Sequence, residues 1–143
     1  MPPQEALPWA IHHLATAIAE LDTAVARRLG LTASDYVALK HLLVAPLGPV
    51  ELGRMLGLTS GAATGLVTRL ASAGYAERTA HPGDRRRQIV TATPRAEAAV
   101  VTALQPLATD IDRLAAALPA DRRDLVAATL GELTALHRRH ARP

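Results

Sequence analysis

Residues 49–93 carry the most informative pattern in the chain and read PVELGRMLGLTSGAATGLVTRLASAGYAERTAHPGDRRRQIVTAT. Pro49 suits the first turn of a helix, because the N–H that proline lacks has no intrahelical partner there. Gly57 suits the left-handed residue that follows a helix ending at Leu56. This stretch therefore opens with a short helix and a tight turn.

A second helix follows the turn. Either Thr59 or Ser60 caps it, and it reaches Ala73. Its apolar residues recur three and four positions apart and define a buried side: Ala63, Leu66, Val67 and Leu70. The opposite side carries small and mostly polar residues: Ser60, Gly61, Thr64, Gly65, Thr68 and Ser72. Such small groups leave room for another surface to approach this helix closely.

A β-hairpin is predicted next. Two short extended runs, 75–79 and 88–93, flank the segment AHPGDRRR at 80–87. Pro82 and Gly83 suit the two central positions of a type II turn, in which proline fixes φ and glycine supplies a positive φ. The tip and the second strand of this hairpin are rich in arginine.

Helices are predicted on both sides of this region. One runs from about Glu5 to Leu29, and a capping box at residues 32–35 opens another from Tyr36 to about Val44. After Thr93 a long helix carries apolar residues alternately four and three positions apart, and a last helix runs from about 121 to 140. The interior Pro106 is expected to bend the long helix.

Composition limits the class of protein. A chain of 143 residues suits one domain, and 2% aromatic residues leave Leu, Ala and Val to fill a mainly helical core. The sequence has no cysteine, which excludes disulfides and thiolate chemistry. No apolar run approaches the roughly 20 residues of a membrane span, and residues 1–5 do not resemble a secretion signal. We therefore expect a cytoplasmic protein.

Positive charge is concentrated in the middle of the chain. Between Arg54 and Arg95 there are seven arginines and two acidic residues, whereas the remainder has nine basic and eleven acidic residues. A basic surface of this kind is typical of proteins that contact phosphates.

These patterns predict a mainly α fold with a small β-hairpin wing. A winged helix-turn-helix lobe at about 33–93 lies between dimerisation helices at about 5–29 and 94–140, within one domain spanning 1–143. The apolar stripes of the flanking helices are too long for one small core, which indicates a homodimer. In a helix-turn-helix the second helix enters the major groove of DNA.

The sequence resembles the MarR family of bacterial regulators (multiple antibiotic resistance regulators). The resemblance is carried by VELGRMLGLT at 50–59, LASAGYAER at 70–78 and, most specifically, the wing sequence HPGDRRRQIV at 81–90 with its Asp-x-Arg element. The order and length of the helices extend it over essentially the whole chain. It implies a regulator that binds a pseudo-palindromic operator in double-stranded DNA.

The resemblance also implies which residues contact DNA. Asp84 would orient Arg86 and the strand, Arg85 or Arg86 would enter the minor groove, and Arg87 would contact phosphate. The recognition helix would contribute Ser60, Gly61, Thr64, Gly65, Thr68 and Arg69.

Two positions depart from the family pattern. Many relatives carry arginine where this chain has Gly65, and aspartate where it has Thr68. We therefore expect less direct base readout and more dependence on the wing and on DNA shape.

Family members often bind a small aromatic or phenolic effector between the dimer helices and the DNA-binding lobe, which lowers operator affinity. The candidate residues here are Trp9, His13, Tyr36 and His41. Alternatively, Trp9 is a dimer anchor and the histidines are ordinary polar residues. Nothing in the sequence identifies the ligand.

Enzymatic, metal and protein-binding functions were also considered. The sequence has no phosphate-binding loop, nucleophile motif or zinc-protease motif, so neither catalysis nor a cofactor is predicted. His137 and His140 lack a third ligand, so no metal site is predicted. The alternative function is a winged-helix module that binds other proteins, which salt-sensitive binding to duplex DNA would distinguish.

Overall fold

The computed structural model describes residues 6–141, which form six helices and one antiparallel hairpin. Residues 1–5, including the predicted helix start at Glu5 and the N-terminal stretch considered as a secretion signal, lie outside the described part. The elements are α1 (Ala6–Arg28), α2 (Ala33–Val44), α3 (Pro49–Leu56), α4 (Ser60–Ser72), β1 (Ala76–His81), β2 (Asp84–Ala92), α5 (Pro94–Ala117) and α6 (Ala120–His140). The predicted fold class is confirmed.

The described residues form two compact units, one ending at Leu104 and the other beginning at Gln105, and the division falls within α5. Helix α5 is continuous through Pro106. Within the described part of the chain, no helix combines the length and the apolar character needed to cross a membrane.

The first unit contains the hydrophobic core. Its largest fully buried apolar side chains come from five different elements: Val25, Tyr36, Leu39, Leu52, Leu66, Val67, Leu70 and Val90. Fully burying one leucine or valine side chain contributes about 1.5–3 kcal/mol. The predicted buried side of α4 therefore anchors that helix and turns its other side outward.

The turn between α3 and α4 is built by local signals. Gly57 has a φ of 66° and ends α3 in the left-handed conformation. The Leu58 amide donates to the Gly53 carbonyl at 2.8 Å. Thr59, not Ser60, is the N-cap, because its hydroxyl accepts a hydrogen bond of 3.2 Å from the Ala62 amide.

Helix α2 begins at Ala33, earlier than the predicted Tyr36. Its N-cap, Thr32, accepts a hydrogen bond from the Asp35 amide at 3.1 Å, as a capping box requires. The Asp35 carboxylate is instead bound by an arginine of α4, described below. Only the Thr32 half of the capping box forms, and the Asp35 side chain makes a tertiary contact instead.

The hairpin differs from its prediction in length and in turn type. Its strands pair from Ala76↔Ala92 to His81↔Asp84, with an irregularity between Ala80 and His81. Gly83 does not have a positive φ, so the predicted type II turn is wrong. A hydrogen bond of 3.0 Å from the Gly83 amide to His81 Nδ1 closes the turn instead.

Helix α1 and the second unit carry exposed apolar side chains. On α1, Leu7, Trp9, Leu14 and Ile18 are each about half exposed. In residues 105–141 the exposed set is Leu107, Ile111, Leu114, Leu125, Val126, Leu130 and Leu136. This set includes positions of the apolar seam that the sequence predicted for dimerisation.

Candidate nucleic-acid interface

Helix α4 presents a face without large side chains. Ser60, Gly61, Thr64 and Thr68 are exposed and Gly65 is half-buried. A Cβ atom at Gly61 would meet nothing within 4 Å, and one at Gly65 would meet only Arg69 Nη1, at 3.6 Å. These are five of the six residues predicted on this face, and the space in front of Gly61 is open.

Close packing fixes the angle between α3 and α4. A Cβ atom placed on Gly53 would lie 2.9 Å from the Ala63 Cβ and 3.5 Å from the Leu58 carbonyl oxygen. Gly53 and Ala63 are both buried. The two helices therefore approach as closely as a glycine allows, which sets how α4 is presented.

Arg69, predicted at the edge of the DNA surface, is held by an ion pair. Its Nη2 lies 2.7 Å from Asp35 Oδ1 and its Nε lies 3.0 Å from Asp35 Oδ2, a two-pronged contact. Asp35 is only 2% exposed. The hydrogen bond to Asp35 and the negative charge of that carboxylate raise the pKa of the Arg69 guanidinium. The pair ties α4 to α2.

Arg78 on β1 also reaches this face, although the sequence argument did not single it out. Its Nη2 donates to Thr68 Oγ1 at 2.6 Å and to the Thr64 carbonyl at 3.4 Å. The only signal for it in the sequence was membership of the arginine cluster between Arg54 and Arg95. Its contacts link residues 10 and 14 positions apart, which periodicity does not reveal.

The wing presents three consecutive exposed arginines: Arg85, Arg86 and Arg87. The Asp84 carboxylate accepts a hydrogen bond of 2.9 Å from the Arg86 backbone amide. Arg87 lies 4.0 Å from Glu51 at the start of α3. Asp84 thus contacts the backbone of the arginine strand, and it does so without binding the Arg86 guanidinium.

The residues predicted to bind an effector differ in exposure, and none of them lines a groove of about 430 Å³. Trp9 is about half exposed and its ring contacts those of His12 and His13, whereas Tyr36 is fully buried. His41 is half-buried on α2. This groove is lined by other residues, in 42–46, 91–93, 97 and 100–101.

Burial raises the pKa of the Tyr36 hydroxyl above its ordinary value of 10.0, and the negative charge of Asp22 raises it further.

Among residues 6–141 no group of three or more histidine, aspartate or glutamate side chains is arranged to hold a metal ion. The Nδ1 atom of His137 lies 2.7 Å from the Leu133 carbonyl oxygen of its own helix.

Two helices joined at Gly57 and followed by a hairpin define the class of protein as a winged helix-turn-helix. The sequence profile of the MarR family matches residues 29–87. An uncharacterised HTH-type transcriptional regulator of Bacillus subtilis, YcgE, is 36% identical over 85 residues, which make up 59% of this chain. That match spans 55% of the length of YcgE.

Solved structures agree over nearly the whole chain. The transcriptional regulator Tm0710 of Thermotoga maritima has a TM-score of 0.71 and 24% identity, covering 95% of this chain and 96% of that one. A mutant MarR from E. coli complexed with operator DNA has a TM-score of 0.57 and 28% identity, covering 90% and 93%. Residues 29–87 of this chain are thus similar to the MarR family, and YcgE and Tm0710 are both described as transcriptional regulators.

Proposed function

We propose that the protein is a transcriptional regulator that binds double-stranded DNA in the cytoplasm. The observation that carries the proposal is the open, small-residue face of α4 next to the three exposed arginines of the wing. The similar E. coli MarR is described in complex with operator DNA, which supports the same use of this surface. Helix α4 enters the major groove, and Arg85 or Arg86 enters the adjacent minor groove.

The acting form is a homodimer on a pseudo-palindromic operator. Helix α1 and, separately, residues 105–141 each carry exposed apolar side chains that a second copy would cover. Two-fold symmetry places two recognition helices in successive major grooves, about 34–36 Å apart.

The regulator is a repressor whose operator affinity falls when a small aromatic or phenolic effector binds. Trp9 and His13 are exposed in the single chain, so this proposal requires that the second copy leaves them free to contact the effector. Tyr36 is fully buried, so it would touch an effector only in a conformation that exposes this part of α2. The effector would act by favouring the geometry with lower affinity for DNA.

The test is a fluorescence-anisotropy titration of the purified protein. The probes are duplex DNA from its own upstream intergenic region and a scrambled duplex of equal composition, at several salt concentrations. We expect salt-dependent binding that prefers the native duplex. Absence of salt-sensitive binding to either duplex would favour the protein-interaction module.

A double variant tests the wing. Arg85→Ala with Arg86→Ala should lower affinity for both duplexes by about tenfold or more, because two guanidinium contacts are lost. The matched control is Arg122→Ala with Arg123→Ala, which removes the same charge from exposed positions of α6. Equal affinities of the wing variant and this control would refute the role of the wing.

A further inference from the structure

A hydrogen-bonded chain joins β1 to the exposed face of α4. The Thr68 hydroxyl donates to the Thr64 carbonyl at 2.9 Å, and its oxygen accepts from Arg78 Nη2 at 2.6 Å. The same Nη2 lies 3.4 Å from the Thr64 carbonyl. The guanidinium is thereby held against the recognition helix by two of its residues.

The rest of this guanidinium is available to another molecule. Arg78 is exposed, and within residues 6–141 its Nε and Nη1 groups have no hydrogen-bond partner. Arg69, the arginine of α4 itself, directs its Nε and Nη2 at Asp35. Arg78 therefore brings a long cationic side chain, with unused hydrogen-bond donors, to a face whose own residues are small.

The position of Arg78 along α4 indicates what it meets. A helix rises 1.5 Å per residue, so Thr64 and Thr68 lie about 6 and 12 Å beyond Ser60. The N-terminal residues of a recognition helix reach the base edges, and the major groove is about 12 Å wide. A guanidinium held beside Thr68, this far along the helix, would lie near the wall of the groove, which is lined with phosphates.

We propose that Arg78 contacts a backbone phosphate of the operator and that Thr68 is the positioning residue that aims it. The inference rests on the proposed DNA-binding function. It gives the unusual Thr68 a role, because a hydroxyl at this position can accept from Arg78 while donating to its own helix. Arg78, which extends from the hairpin, thereby supplies on this face the positive charge that glycine at position 65 does not provide.

The test uses the same anisotropy titrations with Arg78→Ala, Thr68→Val and the double variant. Arg78→Ala should weaken binding to native and scrambled duplexes alike by about tenfold, and should reduce the slope of log affinity against log salt by about 1. Thr68→Val should weaken binding about threefold in the natural chain and have no effect in the Arg78→Ala background, because it acts through Arg78.

Controls separate the contact from net charge and from folding. Arg28→Ala removes one positive charge from the end of α1 and should change affinity much less. Arg78→Lys keeps the charge but loses the fork-shaped donor, so it should keep the salt slope and bind more weakly than the natural chain. Thermal unfolding followed by circular dichroism checks that each variant is folded.

Each contrary result has a distinct meaning. Equal affinities for Arg78→Ala and Arg28→Ala would overturn the contact, and loss of preference without a change in slope would assign Arg78 to a base edge. An equal cost of Thr68→Val in both backgrounds would overturn the positioning role. If the natural chain binds no duplex, the proposed function itself fails, and this inference fails with it.

Discussion

Gly53 occupies the point at which α3 and α4 are closest. Gly53→Ala should destabilise the protein by about 1–2 kcal/mol, because its Cβ would lie 2.9 Å from that of Ala63 and overpack the contact. The helix propensity gained by alanine offsets part of this cost. Urea unfolding followed by circular dichroism measures the difference.

The control for Gly53→Ala is Gly61→Ala. A Cβ at Gly61 meets nothing within 4 Å, so this change should stabilise the helix by up to about 1 kcal/mol. Equal stabilities of the two variants would show that the α3–α4 contact can relax, in conflict with the tight packing described.

Tyr36 lowers the stability of the folded chain at alkaline pH. Its pKa is raised by burial and by Asp22, so the folded chain keeps the phenolic proton at a pH where the unfolded chain releases it. The contribution of Tyr36 is therefore complete below pH 10.0 and is lost as the pH rises toward the pKa of the folded state. Melting temperatures should fall less steeply above that pH in Tyr36→Phe than in the natural chain. Parallel curves would contradict the role of Tyr36.

The hairpin depends on one carboxylate for the local geometry of its arginine strand. Asp84→Asn and Asp84→Ala remove the same negative charge, but only asparagine keeps an oxygen that can accept from the Arg86 amide. Asp84→Ala should therefore bind DNA several-fold more weakly than Asp84→Asn in anisotropy titrations. Equal affinities would mean that only the charge of Asp84 matters.

Most helices could be predicted because their signals are local. Pro49 and Gly57 mark the ends of α3, and both act through the backbone of their own turn. The prediction of the hairpin turn was wrong. The strand pairing is irregular between Ala80 and His81, and the His81 ring accepts a hydrogen bond from the Gly83 amide. Gly83 therefore does not adopt the positive φ of a type II turn. A Pro-Gly pair does not encode these contacts.

The candidate site was only partly readable from the sequence. Periodicity separated the buried and exposed sides of α4, because both follow from one helical repeat. The partners of the site arginines come from other elements: Asp35 for Arg69 and Thr68 for Arg78. Such pairings depend on how the elements pack, which the local pattern does not specify.

At the scale of the whole molecule, we expect the exposed apolar face of α1 to be buried in the proposed dimer. Leu14→Glu should shift the protein toward monomers in sedimentation-velocity experiments, because a charge cannot be buried there without a partner. Thr16→Glu is the control, since it adds the same charge at an exposed position of the same helix. Equal sedimentation of the two variants would exclude this face of α1 from the interface.

The separation of the two sides of α4 has an evolutionary consequence. Ala63, Leu66, Val67 and Leu70 support the fold, whereas Ser60 is exposed and a Cβ at Gly61 would meet nothing within 4 Å. Mutations at the outer positions therefore incur little stability cost, so a lineage can acquire a new operator preference without first accumulating compensating changes. After a gene duplication, two copies of this chain could diverge in target sequence while sharing one scaffold.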